Sequence, residues 1–185
     1  CISFEQEIEV LESNIANFTR EQIEITDDSA NNIIEIITNN LGIGDYEYAI
    51  QKEGDFISTY QDEPIFENLS AGIYTVFVND RNNCGEVPIE ASVIGYPKFF
   101  TPNNDGLNDY WNVIGVNENF YSNSLIYIFD RFGKNVAKID PKSEGWNGYF
   151  KAIPLPSSDY WFSVQLIDNN GNSRIKKGHF SLIRN

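Results

Sequence analysis

The chain has 185 residues, no methionine, two cysteines, one histidine and a formal net charge of −14, with 41% hydrophobic and 14% aromatic residues. That length holds one large or two small domains, and no apolar run approaches the ~18 residues that would span a bilayer. Residues 1–96 carry 19 acidic and 3 basic groups and residues 97–185 carry 8 and 10, a split of −16 against +2 that argues against nucleic acid as a partner of the first half.

The charge step places a boundary near Tyr96, giving domains over 1–95 and 96–185. The acidic half reads as the solubilising surface of an extracellular protein. A chain without methionine does not begin at its own initiator, so it is expected to be a processed product or an excised piece, and the missing leader carries no information about location.

From Cys1 to Ser92 short runs alternate apolar and polar residues: Ile8-Glu9-Val10, Gln22-Ile23-Glu24-Ile25-Thr26, Ile33 to Thr38, Tyr46 to Ile50 and Ile73 to Val78. Turn clusters separate them, among them Thr26 to Asn32, Asn39 to Asp45, Lys52-Glu53-Gly54-Asp55 and Asn79 to Asn83. Period-two runs between polar turns predict antiparallel β-structure, and no segment sustains a helical period. The fold class is all-β, two tandem β-sandwich (immunoglobulin-like) domains. The segments after Cys1 and Cys84 are similar, which implies an internal period of about 83 residues and the tail of a tandem array. A Cys1–Cys84 disulfide is plausible in an oxidising exterior, and spacing alone leaves it open.

Tyr96 to Trp111 forms the hinge of the chain. Pro97 and Pro102 fix the backbone on either side of Phe99-Phe100, and Asn103, Asn104, Asp105 and Gly106 tolerate turn conformations. Beyond it, Leu125 to Phe129 and Val136 to Ile139 flank a turn over 130–135, where Gly133 can take a positive φ. Tyr160 to Ile167 and Ser173 to Ile183 flank a second turn, Asp168-Asn169-Asn170-Gly171-Asn172, with Pro154 and Pro156 in the linker before them. This half reads as a second short-stranded sandwich closed by its last strand.

Phe99-Phe100-Thr101-Pro102-Asn103-Asn104-Asp105-Gly106-Leu107-Asn108-Asp109-Tyr110-Trp111 resembles the opening signature of the gliding motility-associated C-terminal domain, the type B sorting domain of the type IX secretion system. Ile128 to Gly133 resembles the family's strand ending in a basic-aromatic-Gly turn, and Gly145-Trp146-Asn147-Gly148 resembles its Trp-polar-Gly turn. Pro156 with Tyr160-Trp161 is similar to the strand that follows, and Gly178-His179-Phe180-Ser181-Leu182-Ile183-Arg184 to its closing strand. The resemblance covers about 89 residues. Asn104 stands where a glycine is more usual, and asparagine also tolerates positive φ. In the first half, Leu69 to Cys84 resembles the late strands of immunoglobulin-like repeats in surface adhesins of the same bacteria, with Gly72 turning a corner and Tyr74 anchoring it.

The resemblance implies a non-catalytic signal that directs a large protein through the type IX system to the cell surface or medium. Its partners would be the translocon or an associated outer-membrane protein, with upstream domains of the same polypeptide as cargo and no membrane insertion of this segment. The residues it singles out are Phe100, Thr101, Pro102, Asn103, Asp105, Gly106, Asn108, Asp109 and Trp111 of the opening loop. To these it adds Arg131, Gly133, Trp146, Gly148, Gly178, Phe180, Leu182 and Arg184. Recognition would dock a sandwich face or pair the edge of the last strand. Asp28-Ser29-Ala30 matches the Asp-Ser/Thr-small pattern used for O-glycosylation in these bacteria, with a plain turn as the alternative.

The residues themselves point away from catalysis. His179 is the only histidine and falls in a predicted strand, so no Ser-His-Asp or Cys-His arrangement can be assembled without it. Asn103, Asp105, Asn108 and Asp109 surround Gly106 with oxygen-bearing side chains of the kind calcium takes. Counted as an EF-hand, however, that loop has Asn112 where a bidentate Glu belongs, and an Asx-rich turn bonding its own backbone is the favoured alternative. Trp111, Trp146, Tyr149, Tyr160 and Trp161 would make a sugar-stacking platform if exposed, although in a small sandwich aromatics are mostly core. Arg174, Lys176, Lys177 and Arg184 form a basic edge that blocks aggregation or meets a receptor. The rival reading is therefore a calcium-stiffened adhesin or carbohydrate-binding module, with no other cofactor.

Overall fold

Alternating apolar positions bury one side of strands such as Leu125–Phe129 and Ser158–Ile167, and the computed structural model, which describes residues 12–27, 31–121, 123–167 and 173–184, is all-β with a single 3-10 turn at Arg20–Gln22. Among the described residues the chain clusters into two compact units. One takes the chain up to Glu24 with Ile33–Glu67 and Tyr74–Ala91; the other takes Ile25–Asn32, Asn68–Ile73 and the chain from Ser92 onward.

Six strands build two sheets in the first half. β1 (Ile23–Thr26), β2 (Asn32–Ile36) and β4 (Ile65–Leu69) pair in the order β1-β2-β4, and β3 (Tyr46–Lys52), β5 (Gly72–Asp80) and β6 (Glu86–Val93) in the order β3-β5-β6. Among the described residues this is the strand order of an immunoglobulin-like sandwich without its fourth edge strand. Register follows the apolar alternation: Tyr48 pairs with Val78 and Ile50 with Val76, and all four side chains are buried. β4 escapes a sequence reading because Phe66 is its only buried residue and Ile65 is exposed. Ile8 to Val10, the Asp28-Ser29-Ala30 signal and Cys1 of the suggested disulfide lie outside the described residues. Cys84 is exposed, and its Sγ donates to Ser13 O at 3.1 Å.

The turn after β5 is held by Asp80, which is 1% exposed. Its Oδ1 accepts from Ser13 Oγ at 2.7 Å and Asp45 N at 3.1 Å, and its Oδ2 accepts from Cys84 N at 3.1 Å. Burial pushes this carboxyl up, but these bonds outweigh it and hold the group at about 2, below its ordinary 3.8. A depressed folded value means that the stabilisation is present above the unfolded value and is lost as pH falls through the folded one. The first unit is therefore expected to lose stability between about pH 4 and pH 2. Asp80→Asn should flatten that acid slope while lowering stability at neutral pH, as read in urea melts across pH. An unchanged slope would exclude this carboxylate as its origin.

In the second half β7 (Phe99–Phe100), β8 (Leu125–Phe129), β9 (Asn135–Ile139), β12 (Ser158–Ile167) and β13 (Ser173–Leu182) form one sheet in the order β7-β13-β12-β8-β9. β10 (Tyr149–Phe150) and β11 (Ile153–Pro154) form a separate two-stranded ribbon. The inner face of the sheet buries Ile126, Ile128, Phe162, Val164, Leu166, Phe180 and Leu182. Irregular chain packs against it, contributing Ile94, Trp111, Val113 and Trp146. The layer opposite the sheet is thus held by isolated bridges, Gly95 with Ile114 and Trp111 with Trp146. The predicted turn over 168–172 lies outside the described residues. Gly178 sits against this core, and an added Cβ would stand 2.5 Å from Tyr96 Oη and 2.7 Å from Phe162 Cε1.

Candidate functional site

β8 runs antiparallel to β9 and β12, β12 runs antiparallel to β13, and β7 lies parallel to β13. This pairing brings the ends of β7, β8 and β13 and the starts of β9 and β12 to one end of the sheet. Three of the singled-out segments, the opening loop, the Arg131-Gly133 turn and Arg184, follow directly from those strand ends.

The opening loop is closed on itself by carboxylates. Asp109 Oδ1 accepts from Asn103 N at 2.9 Å and Asn104 N at 2.6 Å, Asp109 Oδ2 accepts from Gly106 N at 2.8 Å, and Thr101 N donates to Asn108 O at 2.8 Å. Asp105 Oδ1 accepts from Leu107 N and its Oδ2 from Asn103 Nδ2, each at 2.8 Å. Asn104 and Asn108 take φ of 66° and 51°, and Gly106 takes 87°. The two asparagines occupy the left-handed region that their short polar side chains tolerate. Both aspartates meet the loop's own amide donors, which is the Asx-turn arrangement. Among the described residues, no group of three or more His, Cys, Asp or Glu side chains is placed to hold a metal.

Asp109→Ala removes the acceptor of three backbone N–H groups, so it is expected to destabilise the second unit by about 1–3 kcal/mol. Faster amide exchange at Asn103, Asn104 and Gly106 is the specific readout, and exchange unchanged at those three amides would show that the loop does not depend on the carboxylate.

The other turns are built in the same way. Asp130 Oδ1 accepts from Phe132 N at 2.9 Å and Lys134 N at 3.0 Å, Gly133 takes φ 78°, and Arg131 lies over the exposed Phe132 ring at 4.8 Å. In the Trp turn, Trp146 and Trp111 exchange backbone hydrogen bonds at 2.8 and 2.9 Å, and Trp146 Nε1 donates to Tyr149 O at 3.0 Å. Tyr160 Oη donates to Pro156 O at 3.0 Å, a tyrosine anchor of the kind expected at Tyr74. Tyr74 is a buried residue of β5.

Arg184 joins these segments. Its Nε donates to Leu155 O at 2.9 Å, Nη1 to Pro102 O at 3.3 Å and Nη2 to Gly148 O at 3.0 Å, and the guanidinium lies over the Tyr149 ring at 5.1 Å. Gly148 takes φ 78°, and a Cβ there would meet Leu182 Cδ1 at 2.6 Å and Arg184 Nη2 at 2.8 Å. Two clefts flank this staple. One of about 390 Å³ is lined by Pro102, Asn103, Asn104, Asp109, Tyr110, Asn147 and Tyr149, and one of about 280 Å³ by Asp130, Arg131, Phe132, Leu155, Pro156 and their neighbours. Arg184 bonds a wall residue of each.

The singled-out residues other than Gly148 and Gly178 therefore fall into two groups. Phe100, Trp111, Trp146, Phe180 and Leu182 are core, each no more than 3% exposed. Thr101, Pro102, Asn103, Asp105, Gly106, Asn108, Asp109, Arg131, Gly133 and Arg184 lie on the loops of the shared end. The sugar-stacking platform does not exist as drawn from the sequence: Trp111, Trp146 and Tyr160 fill the core, while Tyr149 and Trp161 are exposed. The basic edge is likewise divided. Arg174 Nη2 and Lys176 Nζ each lie 2.8 Å from the carboxylate of Asp27, which belongs to the same unit and whose side chain is 4% exposed. Burial pushes the Asp27 carboxyl up, and the Lys176 and Arg174 hydrogen bonds outweigh it, leaving it below its ordinary value. His179 is exposed on the sheet, with its ring centroid 6.3 Å from that of Trp161.

The β10-β11 ribbon carries no sequence signal. Its turn residues Lys151 and Ala152 take φ of 50° and 64°, positions where glycine or asparagine would be the readable cue. Leu155 O, an acceptor in the staple, is equally silent because a backbone carbonyl has no residue signature.

Residues 94–182 match the family model of the CHU_C type IX secretion signal domain, a secretion-signal family and not a catalytic one. No curated protein sequence matches the chain. Three solved structures overlay it loosely. The first, a biofilm-associated protein BSP domain, is 11% identical at a TM-score of 0.29 over 88% of this chain, which spans 29% of that chain. A two-domain fibronectin type III segment from chicken tenascin is 12% identical at 0.31, over 86% of this chain and 97% of that one. Three N-terminal domains of the bacteriophage RB49 outer capsid protein Hoc are 9% identical at 0.27, over 88% and 59%.

Proposed function

We propose that the second unit is a sorting signal read by the type IX export machinery, and that the reading surface is the end of the sheet gathered by Arg184. The first-half sandwich is an immunoglobulin-like spacer, and the boundary lies near Tyr96. The observation that carries this reading is that separate motifs of a matched secretion-signal region meet at one guanidinium. In this reading, core residues such as Trp111 and Phe180 shape the signal, while Arg131, Phe132, Asn103 and Tyr110 present it to the translocon or an associated outer-membrane protein. The cargo is carried across the outer membrane to the cell surface or the medium.

The test is export of a fluorescent cargo fused to residues 97–185 or to residues 1–185 in a gliding bacterium with an intact type IX system. Export of the shorter fusion is the expected result; failure of both fusions although both fold would return the adhesin reading to the front.

A paired change separates reading from folding. Phe132 is 80% exposed, so R131E/F132A is expected to leave stability within about 0.5 kcal/mol of the parent while reducing export several-fold. Full export by that variant would place the reading surface elsewhere. The loop that includes Asp105 and Asp109 is self-bonded in this reading and needs no calcium, so melting curves in excess calcium and in EDTA should coincide.

A further inference from the structure

The outward face of the five-stranded sheet carries a row of rings used neither by the core nor by the motif-bearing end. Trp161 on β12 stands opposite Phe129 on one side and His179 on the other. One row along, Ser163 stands opposite Tyr127 and Lys177, and Tyr127 opposite Lys138, whose ammonium lies 5.6 Å from the tyrosine ring centroid. Trp161 is 43% and Tyr127 39% exposed, and Lys138, Lys177 and His179 are exposed as well. Neither row contains an acidic side chain.

We propose that this face binds an extended, uronate-bearing acidic polysaccharide laid across the strands, with sugar rings on His179, Trp161 and Phe129 and carboxylates drawn to Lys138 and Lys177. Three features select that occupant. Rings on adjacent strands repeat at ~4.8 Å, and the spacing of the Trp161 and His179 centroids is 6.3 Å, the scale of one sugar unit. The two rows lie ~7 Å apart, so the strip covers roughly 100–200 Å², far below the ~800 Å² per side of a stable protein interface. A ligand that is itself thin and extended fits such a strip. The charge is also local: residues 1–96 carry −16 and repel a polyanion, whereas the row of Lys138 and Lys177 holds two lysines and no acid, and Asp159, two residues before Trp161, accepts a hydrogen bond from Ser181 Oγ. Two lysines fall short of the basic groove that tracks a phosphate backbone, which disfavours single-stranded nucleic acid on the same rings.

Fluorescence isolates the face. Trp161 is exposed whereas Trp111 and Trp146 are 0% and 3% exposed, so acrylamide quenching of the full 185-residue chain reports chiefly on Trp161. Polygalacturonate is expected to protect that emission, and added salt to abolish the protection. K138E/K177E should weaken binding about tenfold or more. Affinity electrophoresis in polygalacturonate gels, which does not depend on the indole, should show the same loss for Trp161→Ala. The proposal is overturned by an absence of protection, by equal protection from neutral dextran, by lysine reversal without effect, or by tighter binding of oligothymidylate than of polygalacturonate.

Discussion

Trp111→Ala is expected to destabilise the second unit by about 3–5 kcal/mol, a Tm loss of about 10 °C or more for a module of this size. The indole is fully buried, stacks on Phe180 with centroids 3.8 Å apart and planes 13° apart, and lies 4.9 Å from Phe162. Its Nε1 donates to Pro97 O at 2.9 Å, so truncation opens a large cavity and also strands a carbonyl. Trp111→Phe refills most of the volume but not the donor, and should recover all but about 1–3 kcal/mol. Chemical denaturation followed by hydrogen exchange within residues 94–182 separates this loss from the first unit. A cost for Trp111→Ala within about 0.5 kcal/mol, as at an exposed site, would mean that the indole faces outward and that the core is drawn wrongly. Export should fail with this variant for want of a folded signal.

Much of the architecture could be read from residue types, because alternation and turn chemistry are local. Leu125 to Phe129 coincides with β8, Tyr46 to Ile50 falls within β3, and Gly133 takes the positive φ that its place in the turn requires. The Asn-Asp loop was legible for the same reason: Asx side chains bond neighbouring amides, so Asp109 and Asp105 close the loop that the sequence outlines. Long-range contacts were not. Trp111, Trp146 and Tyr160 read equally well as platform or core, and only the sheet that covers them decides it. Nor can alternation show that the layer opposite the five-stranded sheet is mostly irregular, held by the Trp111–Trp146 and Gly95–Ile114 bridges. Arg184 looked like part of a basic edge. Its partners are carbonyls, and every residue has one.

Arg184→Ala should therefore reveal what a list of motifs hides. Three charge-assisted bonds to Leu155, Pro102 and Gly148 are lost together with the contact over Tyr149. Because the side chain is only partly buried, solvent replaces some of this, and the expected net cost is about 2–4 kcal/mol. Arg184→Lys keeps the charge but replaces a planar fork with a point donor, which cannot reach three separated carbonyls at once. It is expected to restore no more than a third of the stability and little of the export. Gly148→Ala attacks the same junction from the other side, since its Cβ would collide with Leu182 and with the guanidinium at a φ of 78°. The double variant R184A/G148A should cost less than the sum of the two single changes, because each disrupts one shared contact. Strict additivity would show that the opening loop, the Trp turn and the closing strand are merely neighbours. Export that tracks this coupling, in variants still folded at the assay temperature, would make the assembled junction, and not any one motif, the thing that is read.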